Sequence, residues 1–89
     1  MNAKDVMTFA TKVLTIANFS ICKESATESA LFVTDSDTKY ILVYRADKNE
    51  IYFELENLKA KVSATVTTME EVGKFLIQVR HIMNFVFFA

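Results

Sequence analysis

The spacing of apolar residues changes period twice along the chain, and this alternation restricts the fold more than any single motif. Near the N-terminus Val6, Phe9, Ala10, Val13, Ile16 and Ala17 recur at three and four, with Lys4, Thr8, Thr11, Lys12 and Thr15 on the other face. That is the spacing of an amphipathic helix. Asn2 and Asp5 offer a cap and a first-turn carboxylate, and Asn18 a stop, so a helix is predicted over about residues 3–17. From Phe19 to Thr67 the period shortens to two, in runs Phe19 to Lys23, Ala30 to Thr34, Tyr40 to Arg45, Glu50 to Leu55 and Lys59 to Val66. Parallel crossovers need about a dozen residues or more, and no connection here is that long. The segment therefore reads as an antiparallel meander of four to five strands.

Charge placement selects the register of the last three strands. With a turn at Asn57 and Leu58, Glu54 faces Lys61 and Glu56 faces Lys59, while Ile51, Phe53 and Leu55 meet Ala64, Val62 and Ala60. Opposite charges then share one face and apolar residues the other. With residues 46–49 as a loop, Tyr44, Leu42 and Tyr40 pair with Ile51, Phe53 and Leu55. The opposite face then carries Ile41 beside Glu54 and Val43 beside Tyr52.

The helical period returns after Thr67. Thr67 and Thr68 stand three residues before Glu70 and Glu71, a doubled capping-box pattern, and Val72, Phe75, Leu76, Val79, Ile82, Met83 and Val86 follow at three and four. A second, longer helix starts here. Gly73, the only glycine, lies in its early turns, where the missing Cβ suits a close approach to the sheet. The expected architecture is α+β: an N-terminal helix, the meander, and the longer C-terminal helix, both helices packed on one sheet face of a single domain spanning residues 1–89.

Composition limits function more by exclusion than by assignment. Apolar residues make up 52% against 24% charged, too apolar for disorder. Ten Lys and Arg against 11 Asp and Glu give a net charge of -1, so no field would hold the chain on a phosphate backbone, and the acidic excess is too small for a DNA mimic. A lone cysteine, Cys22, forms no internal disulfide, which favours a reducing compartment. The N-terminal apolar segment contains Lys12 and is patterned as an amphipathic helix rather than a signal peptide, and no apolar run is long enough to span a bilayer. The expectation is a soluble, cytoplasmic chain with no membrane and no nucleic-acid partner.

No catalytic or cofactor motif survives inspection. The segment from Thr34 to Lys39 resembles the opening of a haloacid dehalogenase phosphotransfer motif, but Lys39 stands where Thr or Val is required. It also lacks the glycine and glutamate of an EF-hand loop. Asp and Ser there suit a polar hairpin turn, and Asp35 and Asp37 would be the candidates only for a small enzyme. His81, the only histidine, sits toward the end of the second helix, where the helix dipole or solvent accounts for it. Tyr40 and Tyr44 fall on the inward face, which argues for core packing rather than stacking on single strands. Glu70 and Glu71 are capping and dipole residues. No cofactor and no metal is expected.

Surplus apolar surface is the one feature that points outward. Ile41, Val43 and Tyr52, with Glu54, lie on the sheet face away from the helices, and the chain ends in Phe85, Phe87 and Phe88. Contiguous apolar surface on a soluble chain marks an interface. In layout, helix then strands then helix, the chain resembles compact phage-encoded inhibitors of host defence and the chaperones related to type III secretion chaperones. The reading is a non-catalytic protein-binding module, a small phage or mobile-element inhibitor or adaptor that occludes a host protein surface through Ile41, Val43, Tyr52, Glu54, Phe87 and Phe88. The alternative is a homodimeric, chaperone-like or structural subunit.

Overall fold

A computed structural model describes the backbone of residues 1–14, 19–35, 38–55 and 60–88, with side chains for 1–14, 20–31, 39–55 and 61–83. In chain order it contains α1 (Ala3–Leu14), β1 (Phe19–Glu24), β2 (Glu28–Asp35), β3 (Thr38–Arg45), β4 (Glu50–Leu55), β5 (Ala60–Thr65) and α2 (Met69–Phe88). The strands form one antiparallel sheet in the order β1-β2-β3-β4-β5, the meander that short connections impose.

Each helix begins as its sequence dictates. Asn2 caps α1: its side-chain oxygen accepts the N–H of Asp5 at 3.1 Å, and its carbonyl accepts that of Val6 at 3.2 Å. Thr68 caps α2, with its Oγ1 accepting the N–H of Glu71 at 3.2 Å and its carbonyl that of Val72 at 3.1 Å. The doubled capping pattern resolves onto one carboxylate, because Glu71 Oε1 accepts from the hydroxyls of both Thr67, at 2.8 Å, and Thr68, at 3.3 Å. Glu70 instead lies 3.8 Å from Lys74 one turn on, an exposed pair.

The expected registers hold. Tyr40, Leu42 and Tyr44 lie opposite Leu55, Phe53 and Ile51, and Ile51, Phe53 and Leu55 opposite Ala64, Val62 and Ala60. The Glu56–Lys59 pair and the turn between β4 and β5 lie outside the described residues, as do residues 36 and 37. Arg45 and Glu50 close the β3–β4 loop, whose last residue, Asn49, takes φ 50°. Asn tolerates this left-handed conformation better than other residues with a Cβ.

Both helices cover the same face. Val6, Met7, Ala10 and Leu14 of α1 and Val72, Phe75, Leu76, Val79 and Met83 of α2 join one buried cluster with Leu31, Leu42, Tyr44, Ile51, Phe53 and Leu55 of the sheet. Tyr40 meets Phe53 edge to face, with centroids 5.4 Å apart. Burial of Tyr44 pushes its phenol above the ordinary value. Gly73 departs from expectation. A Cβ there would meet the Phe9 ring at 3.6 Å, so the glycine faces α1 and not the sheet.

Candidate functional site

With both helices on one side, the other side of the sheet is finished by side chains alone. Alternation places Glu28 and Ala30 of β2, Ile41, Val43 and Arg45 of β3, Glu50, Tyr52 and Glu54 of β4, and Lys61, Ser63 and Thr65 of β5 on this outer face. At the end nearest the β3–β4 loop, charges satisfy one another across four strands. Glu28 receives Lys23 Nζ at 2.9 Å and lies 3.7 Å from Arg45, which in turn lies 4.0 Å from Glu50. The hydrogen-bonded ammonium of Lys23, backed by Arg45, holds the Glu28 carboxyl below its ordinary value.

Tyr52 occupies the centre. Lys61 Nζ sits 4.1 Å from its ring centroid and the Arg45 guanidinium 5.6 Å, both within cation–π range. Lys61 lies opposite Glu54 in register, as expected. Its ammonium nevertheless turns to the aromatic ring, and among the described residues the Glu54 carboxylate has neither an ion pair nor a hydrogen bond. A carboxylate opposite the half-buried Ile41 is thus left to solvent.

The expected contact residues fare differently. Ile41, Tyr52 and Glu54 are half-buried and reachable. Val43 is only 2% exposed, a correction to its reading as uncovered surface. It stands between Ala30 and Tyr52 in the middle of the sheet, where the longer side chains around it close over a short one. Phe87 and Phe88 belong to α2, but their side chains, and that of Phe85, lie outside the described ones.

A second exposed feature did not emerge from periodicity. Ile21 of β1 is 49% exposed and borders a cleft of about 350 Å³ with Met7, Thr8 and Thr11 of α1 and Leu31 of β2, floored by the buried Ser29. Two helices about 10 Å apart cover roughly four strands at about 4.8 Å spacing, so a fifth strand projects beyond them. The first strand of a meander is an edge strand, and that was the available signal.

Nothing in the described residues assembles reactive groups. No group of three or more His, Cys, Asp or Glu side chains stands close enough to hold a metal among them. Cys22 is exposed at a bulge in β1. His81 is exposed as well, and α2 continues about two turns beyond it, so the helix terminus does not explain it. No described helix is long and apolar enough to cross a membrane. No protein-family model, curated protein or solved structure matches the chain.

Proposed function

We propose that the chain is a non-catalytic protein-binding module, acting in the manner of small phage or mobile-element inhibitors and adaptors by occluding a host protein surface with the outer face of its sheet. The observation that carries this reading is the arrangement around Tyr52: an aromatic ring within reach of two cations on a helix-free face, beside Ile41 and a Glu54 carboxylate that has no partner among the described residues. Tyr and Arg are the side chains that most often dominate binding energy at interfaces. Hydrogen-bonded strands hold them, so little conformational freedom is lost on association.

The same arrangement states what the partner must offer. Glu54 accepts a Lys or Arg, and Ile41 with the Tyr52 edge accepts an apolar side chain next to that cation. Binding would act by exclusion, the face covering the partner surface it meets.

Capture from a host lysate by wild type and by Ile41→Asp/Tyr52→Ala tests this directly, with Arg80→Ala on the exposed side of α2 as a neutral control. The double variant is expected to retain its circular dichroism and to weaken capture of the main partner at least tenfold. Equal capture by the folded double variant would remove the outer face from the function.

A further inference from the structure

We propose that a second copy of this chain adds to β5, antiparallel and edge to edge, in the one register that passes the twofold axis through Ser63. The two edges of the sheet are not alike. β1 is interrupted by a bulge between Ile21 and Lys23, a feature that discourages strand addition. β5 runs in unbroken register from Thr65 to Ala60 against β4, with no proline and no charge on its inward side. Such an edge is a template for another strand.

The backbone sets which residues can be joined. The N–H of Val66 donates to the Asn49 carbonyl at 2.8 Å, and these residues continue the β4–β5 register. Hydrogen-bonded pairs alternate along an antiparallel ladder, so Ala64 and Val62 also bond toward β4. Lys61, Ser63 and Thr65 therefore turn their N–H and C=O groups to the open side.

A twofold pairing must set outward residues against outward residues, which an axis through any one residue from Lys61 to Thr65 does; through Val62 or Ala64 only two of the three outward residues find partners within the strand, in roughly four hydrogen bonds, which leaves axes through Lys61, Ser63 or Thr65. Through Lys61 it would place like charges directly opposite, which is unfavourable. Through Thr65 it would set Lys61 against Met69, the first residue of α2, where the strand has ended. Through Ser63, Lys61 meets Thr65 of the second copy, and Val62 meets its Ala64. Every outward group of these three residues is then used, in roughly six hydrogen bonds.

The inward side favours the same occupant. Val62 and Ala64 are only half-buried, and Ala64 lines a cleft of about 240 Å³ with Val66, Phe75 and Gln78. An added strand would cover both residues and close the cleft's open flank. Because the pairing preserves inward and outward faces, the two Tyr52 sites would lie on one side of a continuous sheet, giving two-point attachment. The pairing stands independently of what the outer face binds.

Sedimentation across a hundredfold concentration range, on wild type and on Ser63→Pro, tests it. Proline at 63 removes an N–H that the monomer does not use, so the variant keeps its ladder to β4. Wild type is expected to double in mass with concentration, and Ser63→Pro to weaken association at least tenfold with unchanged circular dichroism. A Cys22→Ser background carrying Ser63→Cys fixes the register even where the proline variant fails to fold. Paired Cα atoms about 5.5 Å apart permit a disulfide, whereas Thr65→Cys places its thiols four residues apart and does not. Overturning results are a wild type monomeric throughout, a dimer indifferent to Ser63→Pro, equal cross-linking at both cysteines, or β5 adding an unrelated extended peptide in place of its own copy.

Discussion

At the scale of single residues, the informative positions are those where the chain gives up something local. Gly73 gives up helix propensity inside α2, and the contact that a side chain would make is an ordinary one, 3.6 Å to two ring carbons of Phe9. The glycine is therefore not demanded by space. Gly73→Ala is expected to stabilise the fold by about 0.5–1 kcal/mol, raising the melting temperature by roughly 2–8 °C. Thermal denaturation followed by circular dichroism checks this, and a lowered midpoint would mean that Phe9 cannot accommodate the methyl. Periodicity located Gly73 on a helix, but its neighbour could not be read there, since the helix-to-helix contact is set by how α1 crosses the sheet. The exposure of Val43 was misjudged, and the turn of Lys61 away from its register partner Glu54 was not foreseen, for a related reason. Alternation tells which face a side chain leaves from, whereas the burial of Val43 and the turn of Lys61 toward Tyr52 depend on where long neighbouring side chains settle.

At the scale of elements, most of the fold was legible because each segment satisfies its own rules. The β3–β4 and β4–β5 registers followed from matching charges and apolar residues, and both match residue for residue in the described parts. Boundaries were less legible where polar residues enter a strand: β2 begins at Glu28, before the apolar run at Ala30. That extension has a consequence, since Glu28 ties β1, β2 and β3 together through Lys23 and Arg45. Its carboxyl is held below the ordinary value chiefly by the Lys23 hydrogen bond, with the positive charges of Lys23 and Arg45 adding to it. A carboxylate whose pKa is lowered on folding stabilises the native state above its unfolded pKa, and that contribution is lost as pH falls through the folded value. The stability difference between wild type and Glu28→Gln is thus expected to be largest near neutral pH and to shrink as pH drops below about 4.5, in urea titrations at low salt. A difference that does not vary with pH would show that the charges contribute nothing across these strands.

At the scale of the molecule, the arrangement of layers decides which surfaces are available. The radius of gyration, 12.0 Å, equals the roughly 12 Å expected of a compact chain of this length. Placing both helices on one face buries the apolar cluster and leaves the other face, among the described side chains, to work with charges, Ile41 and the Tyr52 ring. Only the general location of that face could be read from the sequence; the cations on Tyr52, and a Glu54 carboxylate without a partner among the described residues, required knowing how side chains turn. We propose that this face is where the protein meets its partner. The most direct measurement is photo-cross-linking in host lysate, with benzoylphenylalanine in place of Tyr52 on the outer face or in place of the exposed Arg80 on α2. A discrete adduct of one host protein is expected from position 52 and none from position 80. An adduct from position 80 alone, or the same products from both, would contradict it.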